Sequence, residues 1–192
     1  KAEGHAKMRD LLGGKGAGLH EMTRIGIPVP PGFTITTEVC KYYYEHDHCY
    51  PKELGVQVAA GLGRMEKILG RRFGDAENPL LVSVRSGARE SMPGMMDTVL
   101  NLGLNHQTVR GLIRQTQNPR FAFDAYRRFI QMYGDVVLGI KQQTDADPLE
   151  AVLERKKRAR GARFDSELDA RDLEALVTEY KAEIKTNLGR EF

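Results

Sequence analysis

Residues 80–105 read LLVSVRSGARESMPGMMDTVLNLGLN. The stretch opens with an apolar, β-branched run at 80–84, the pattern of a buried strand. It turns abruptly polar and small through Arg85, Ser86, Gly87, Ala88, Arg89, Glu90 and Ser91. A second β-like run begins near Asp97 and passes through Thr98, Val99 and Leu100. Strand, long loop, strand is the expected arrangement. The loop carries more chemistry than a plain hairpin. Arg85 and Arg89 flank Gly87, and hydroxyls lie at Ser86, Ser91 and Thr98. Gly87 and Gly94 let backbone approach a ligand closely. Arginine forks, hydroxyls and backbone N–H groups together suit a phosphate. The same residue types also describe a surface loop with solvated arginines, and composition alone leaves both readings open.

Working outward, residues 11–19 (LLGGKGAGL) crowd glycines around Lys15, and a helical pattern follows through Leu19, Met22 and Ile25. A glycine-rich turn feeding a helix N-terminus is an anion site, with Lys15 as a point charge. The Walker A spacing is absent, and a helix start that needs tight backbone packing is the plainer alternative. Gly26 marks the expected helix end. The prolines of 27–32 exclude helix there. Phe33–Thr37 reads as a short strand. Thr36 or Thr37 is positioned to cap a helix running to about His46. An amphipathic helix is expected from Pro51 to about Phe73, weakened at Gly61 and Gly63.

After Asn105 the pattern is helical only. A helix is expected at 105–117, capped by Asn105, and another from Pro119 with Phe121, Ala125, Phe129 and Met132 as its apolar stripe. Arg127 and Arg128 fall on different faces of that helix. Either one points inward or both are solvated. Residues 139–148 read as an irregular turn. Pro148–Arg158 is helical, and its basic run at 155–158 reads as a solvated helix face. Asp165–Asp169 supplies cap residues, and Ala170–Leu188 forms a last amphipathic helix. The expected fold class is α/β (α+β), with an α/β part at 1–104 and an all-helical subdomain at 105–192.

The chain has 192 residues, 41% hydrophobic and 29% charged, enough to build a core. Its net charge of +3 is mild and dispersed, which argues against a nucleic-acid partner. No apolar run approaches a membrane span and no secretory signal is visible, so a cytoplasmic location is expected. The stretch CKYYYEHDHC holds Cys40, His46, His48 and Cys49. That spacing matches no standard zinc finger, and a helix end with buried thiols is the expectation.

The stretch SVRSGARESMPGMMDTVLNLGLN closely resembles the nucleotide-binding domain of the pyruvate phosphate dikinase family. LLGGKGAGLHEMTRIGIPVPPGFTITTEVC is similar to that family's N-terminal signature, and NPRFAFDAYRRFIQMYGDVV to its helical segment. The resemblance covers nearly the whole chain. Phosphoenolpyruvate synthases share a GGKG turn and a VRSS-type strand end, but lack the GAR-x-SMPGMMDT pattern seen here. They and a non-catalytic nucleotide-binding module are the alternatives.

The resemblance implies the first part of an ATP-grasp domain followed by a helical subdomain. It implies a parent enzyme that converts ATP, phosphate and pyruvate to AMP, pyrophosphate and phosphoenolpyruvate through a phosphohistidine. It carries over Arg85 as the catalytic arginine at the strand end and Lys15 as a phosphate-contacting lysine. Gly87, Gly94 and Thr98 belong to the loop that closes over the phosphates, and Arg128 to a further arginine near the nucleotide. Magnesium and ATP are the implied cofactors, with the magnesium ligands, the carrier histidine and the pyruvate site outside this chain. The partners implied are the remaining domains of the parent, itself a homodimer. The chain alone reads as an inactive fragment, possible as a monomer. It starts without Met, in keeping with a piece of something longer.

Overall fold

The computed structural model describes residues 2–87, 97–142 and 146–192. Among them are seven α-helices and two small two-stranded sheets, an α/β arrangement weighted to helix. The chain divides into two compact units, Lys1–Arg71 with Arg85–Asp97, and Arg72–Val84 with Thr98–Phe192. No helix among the described residues is long and apolar enough to cross a membrane.

In the first unit, α1 (Arg9–Arg24) is two helical pieces joined at Gly13, whose φ of 69° and ψ of 169° lie outside the helical region. Helix therefore starts before the glycine-rich turn as well as after it. Gly26, at φ 87°, closes α1, and the Ile27 N–H donates to the Met22 carbonyl at 2.9 Å. The expected strand at Phe33–Thr37 does not form. Local β-propensity does not supply a pairing neighbour. The segment runs extended, and Phe33 instead packs on Gly61, where a Cβ would come within 2.8 Å of its ring. α2 (Thr37–Glu45) follows, and the Thr37 hydroxyl donates to the Asp10 carbonyl. α3 (Leu54–Leu69) stops earlier than expected because Gly70 adopts the left-handed conformation at φ 64°.

What this unit buries is small: Gly4, Gly13, Gly16, Ala17 and Gly61. Several of its large apolar side chains are exposed, with Val56 at 74%, Ile68 at 68% and Ile25 at 64%. Cys40 and Cys49 are free and exposed, which corrects the expectation of buried thiols. The reason is that α2 buries none of its residues.

The second unit begins with β1 (Arg72–Phe73), which runs parallel to β2 (Pro79–Leu80), Arg72 opposite Pro79. β3 (Val82–Arg85) and β4 (Thr98–Leu102) form the other sheet. The apolar run at 80–84 is buried only at its start: Leu80 is buried and Val84 is exposed. α4 (Thr108–Thr116) starts three residues after Asn105. The Asn105 carboxamide oxygen nonetheless accepts from the Gln107 and Thr108 N–H groups at 2.8 and 2.9 Å. α5 (Pro119–Val136) is capped by Asn118, whose side chain accepts from the Phe121 N–H. α6 (Pro148–Arg160) and α7 (Ala170–Leu188) take the side chains of Asp147 and Asp169 as N-caps. Each of these two helices ends on a left-handed glycine, Gly161 and Gly189.

Tyr126 and Ile130 of α5, Leu149 and Val152 of α6, and Leu173, Leu176, Tyr180 and Ile184 of α7 form one core. The stripe on α5 matches the expected one at Ala125 and Phe129, both buried, and departs from it elsewhere. Phe121 is half exposed, while Ala122 and Tyr126 are buried. β4 packs on α5, and the strands group with the later helices in the second compact unit.

Candidate functional site

The two glycine-bearing stretches singled out in the sequence meet in the first unit. A Cβ on Gly13 would lie 2.5 Å from the Gly87 carbonyl oxygen, closer than any real Cβ comes. Gly13 also has the positive φ that an L side chain resists, so steric and conformational demands both select glycine there. A second helical piece begins beyond Gly13, and the leading N–H groups of a helical piece have no partner inside it. Lys15 lies on that first turn, half-buried. Gly87 has open backbone around it: a Cβ built there comes no nearer than 3.9 Å to Gly13 and 4.0 Å to the Lys15 Cβ. The Lys15 stem is thus a direct neighbour of the strand end.

Arg85 closes β3 and is exposed. Ser86 pins the neck of the loop. Its N–H and its hydroxyl both bond the Asp97 carbonyl, at 3.1 and 3.0 Å. The segment 85–87 is held from one side by Asp97 and from the other by the Gly13 kink. The arrangement offers a lysine, an arginine and close-approaching glycine backbone, groups that suit an oxyanion.

Thr98 and Arg128 lie in the second unit, Thr98 half-buried at the start of β4 and Arg128 exposed on α5. Gly94 lies outside the described residues. Of the neighbouring arginines, Arg127 points inward and is 2% exposed. Its Nη2 donates to Asp124 Oδ1 at 2.6 Å and to Asp165 Oδ2 at 3.2 Å. Burial is the largest influence and disfavours its charge, but the Asp124 carboxylate together with Tyr180 holds the guanidinium above its ordinary pKa. Tyr180, buried near that guanidinium, is pushed up to about 12 by burial, which overcomes the opposing charge. Three members of the basic run of α6 are paired locally: Arg155 and Lys156 with Glu179 of α7, and Lys157 with Glu154 and Asp165. Among the described residues, no cluster of His, Cys, Asp or Glu is placed to hold a metal ion.

Residues 9–52 match the family model described as pyruvate phosphate dikinase, AMP/ATP-binding domain. Over all 192 residues the chain is 54% identical to a pyruvate, phosphate dikinase of Rhizobium meliloti, covering 21% of that protein. It is 50% identical to the Clostridium symbiosum enzyme of the same name over 99% of this chain and 21% of the relative. The Entamoeba histolytica pyruvate, phosphate dikinase is 50% identical over 91% of this chain and 19% of the relative.

Over its whole length the chain is similar to pyruvate, phosphate dikinases.

It spans about a fifth of the length of the curated relatives it matches. The sequence singles out Lys15, Arg85 and Gly87 as candidates but not the Gly13–Gly87 approach that brings their stretches together. Nothing in the local pattern announces a contact between residues so far apart in sequence. Asp124 and Asp165, which hold Arg127, were also missed. For Asp124 a signal was present: it precedes Arg127 and Arg128 by three and four residues, the spacings that meet on a helix.

Proposed function

We propose that this chain is the first part of the ATP-grasp nucleotide-binding region of a pyruvate phosphate dikinase, and that it supplies the wall on which the ATP phosphates rest. The parent reaction is the reversible conversion of ATP, phosphate and pyruvate to AMP, pyrophosphate and phosphoenolpyruvate by way of a phosphohistidine. The observation that carries this reading is the backbone approach of Gly13 to Gly87, which puts the Lys15 turn beside the Arg85 strand end.

Phosphoryl transfer asks a protein mainly for positioning and charge neutralisation. Lys15 acts as a point charge on a terminal phosphate. Arg85 forks onto phosphate oxygens and stabilises charge as it moves between them. Gly87 and Gly94 give the loop room to approach the phosphates, Thr98 contributes a hydroxyl, and Arg128 provides a second guanidinium for the nucleotide. Magnesium neutralises phosphate charge in such reactions when bound. In this reading its ligands belong elsewhere in the parent, and no step is assigned to it here.

The remaining partners are the other domains of the parent enzyme, a cytoplasmic homodimer in this reading. The exposed apolar side chains of the first unit are the surface that those domains meet. By itself the chain has no turnover, and a measurable ATPase rate would contradict that.

Calorimetric titration of the chain with ATP tests the wall directly. Charge-assisted hydrogen bonds contribute about 1.5–3 kcal/mol each. Lys15→Ala and Arg85→Ala should therefore each weaken binding by roughly ten- to a hundredfold. Unchanged affinity in both variants would sink the reading.

A further inference from the structure

We propose that Asp124 is a positioning residue that aims Arg128 at an oxyanion, with the buried Arg127 locking Asp124 in place. The inference rests on the reading of Arg128 as a nucleotide-phosphate contact. Both oxygens of Asp124 are committed. Oδ1 accepts from Arg127 Nη2 at 2.6 Å and Nε at 3.2 Å, and Oδ2 accepts from Arg128 Nε at 3.1 Å. Arg127 is itself immobilised. Its Nη2 also reaches Asp165 Oδ2 at 3.2 Å and its Nη1 reaches Gln131 Oε1 at 3.4 Å. Asp165 stands on the turn Asp165–Glu167, whose backbone carbonyl Arg120 holds at 2.8 Å. A rigid chain of contacts therefore runs from the interior to one surface arginine.

The consequence for Arg128 is geometric. Its side chain is 58% exposed, while its Nε is tied to a carboxylate that cannot turn. A guanidinium is planar, so fixing Nε fixes the plane and leaves the Nη1–Nη2 edge pointing away from Asp124. That edge is the fork that grips two oxygens of a phosphate. Among the described residues, no hydrogen bond occupies it. A buried ion pair is poor value as a stabiliser, since apolar residues of the same volume serve as well or better. Its attested use is to specify geometry, and here the geometry specified is that of Arg128.

The test follows the Arg128 Nε–H signal by nitrogen–proton NMR in the full 192-residue chain, with tripolyphosphate as the probe. In the unmodified chain this signal should be separately resolved and should move on addition of tripolyphosphate. Asp124→Asn should merge it into the rapidly exchanging arginines and weaken tripolyphosphate binding about tenfold. In an Arg128→Ala background, Asp124→Asn should weaken binding no further, which a merely structural role would not produce. Tripolyphosphate affinity unchanged in Asp124→Asn would overturn the proposal, as would an equal loss with and without Arg128. Arg128→Lys keeps the charge but loses the planar anchor. It should also bind about tenfold more weakly, and wild-type binding by it would overturn the proposal should Asp124→Asn fail to fold. Wild-type affinity in Arg128→Ala, or no movement of the Arg128 signal, would defeat the reading of Arg128 itself and this inference with it. Loss on Arg128→Ala without loss on Asp124→Asn defeats the positioning role alone.

Discussion

The two units of this chain bury different things. The unit Arg72–Val84 with Thr98–Phe192 buries Tyr126, Ile130, Leu176, Tyr180 and Ile184 in one continuous core. The unit Lys1–Arg71 with Arg85–Asp97 buries glycines and one alanine, and exposes Ile25, Val56 and Ile68. Large side chains interlock and exclude water, and they hold helices in fixed register. Glycines instead let backbone meet backbone, as at Gly13 and Gly87. The first arrangement makes a scaffold, and the second brings two chain segments into close backbone contact.

The largest difference between the units should appear in core truncation. Leu176 is fully buried, so Leu176→Ala should cost about 2–5 kcal/mol in urea denaturation. Val56→Ala in the first unit should change stability by no more than about 0.5 kcal/mol. Equal costs at the two positions would erase the contrast. Next comes Arg127→Met, which leaves Asp124 without its buried partner and should cost about 3 kcal/mol by the same assay.

A smaller effect is expected in the first unit at Gly13→Ala. The positive φ alone should cost about 1–2 kcal/mol. The added Cβ also runs into the Gly87 carbonyl, so ATP binding should fall along with stability. A variant that keeps both would show that the close approach is dispensable.

The smallest effect should come from acid. Backbone N–H groups hold two carboxyls of the second unit below their ordinary pKa, Asp169 through Asp172 and Glu167 through Phe164 and Arg163. A depressed folded pKa means stability that is complete above the unfolded value, about 4, and lost as pH falls through the folded one. Thermal melts from pH 6 to pH 2 should show this loss, and Asp169→Asn should flatten the slope. A melting temperature that rises on acidification would reverse the assigned sign.

Much of the second unit was legible in the sequence. The last helix was read as Ala170–Leu188, its observed span, because a capping Asp169 and a terminal Gly189 bracket an apolar period. Asn118-Pro119 marked the start of α5 for the same kind of reason. The first unit resisted. Phe33–Thr37 has strand composition but pairs with no strand among the described residues, since pairing depends on distant chain. The departure of the α5 stripe from the expected one, with Tyr126 inside and Phe121 outside, depends on which face α7 covers. Of the site, the residue types at Lys15, Arg85 and Gly87 were readable. Their juxtaposition was not, because it rests on two glycines far apart in sequence.

Hydrogen exchange of the chain with and without saturating ATP would test the central claim most directly. The phosphate wall predicts added protection at 14–17 and 85–87, with α5 and α7 equally slow in both states because their core does not depend on the nucleotide. ATP that adds no protection at 14–17 and 85–87 would contradict the assignment of this surface to the phosphates.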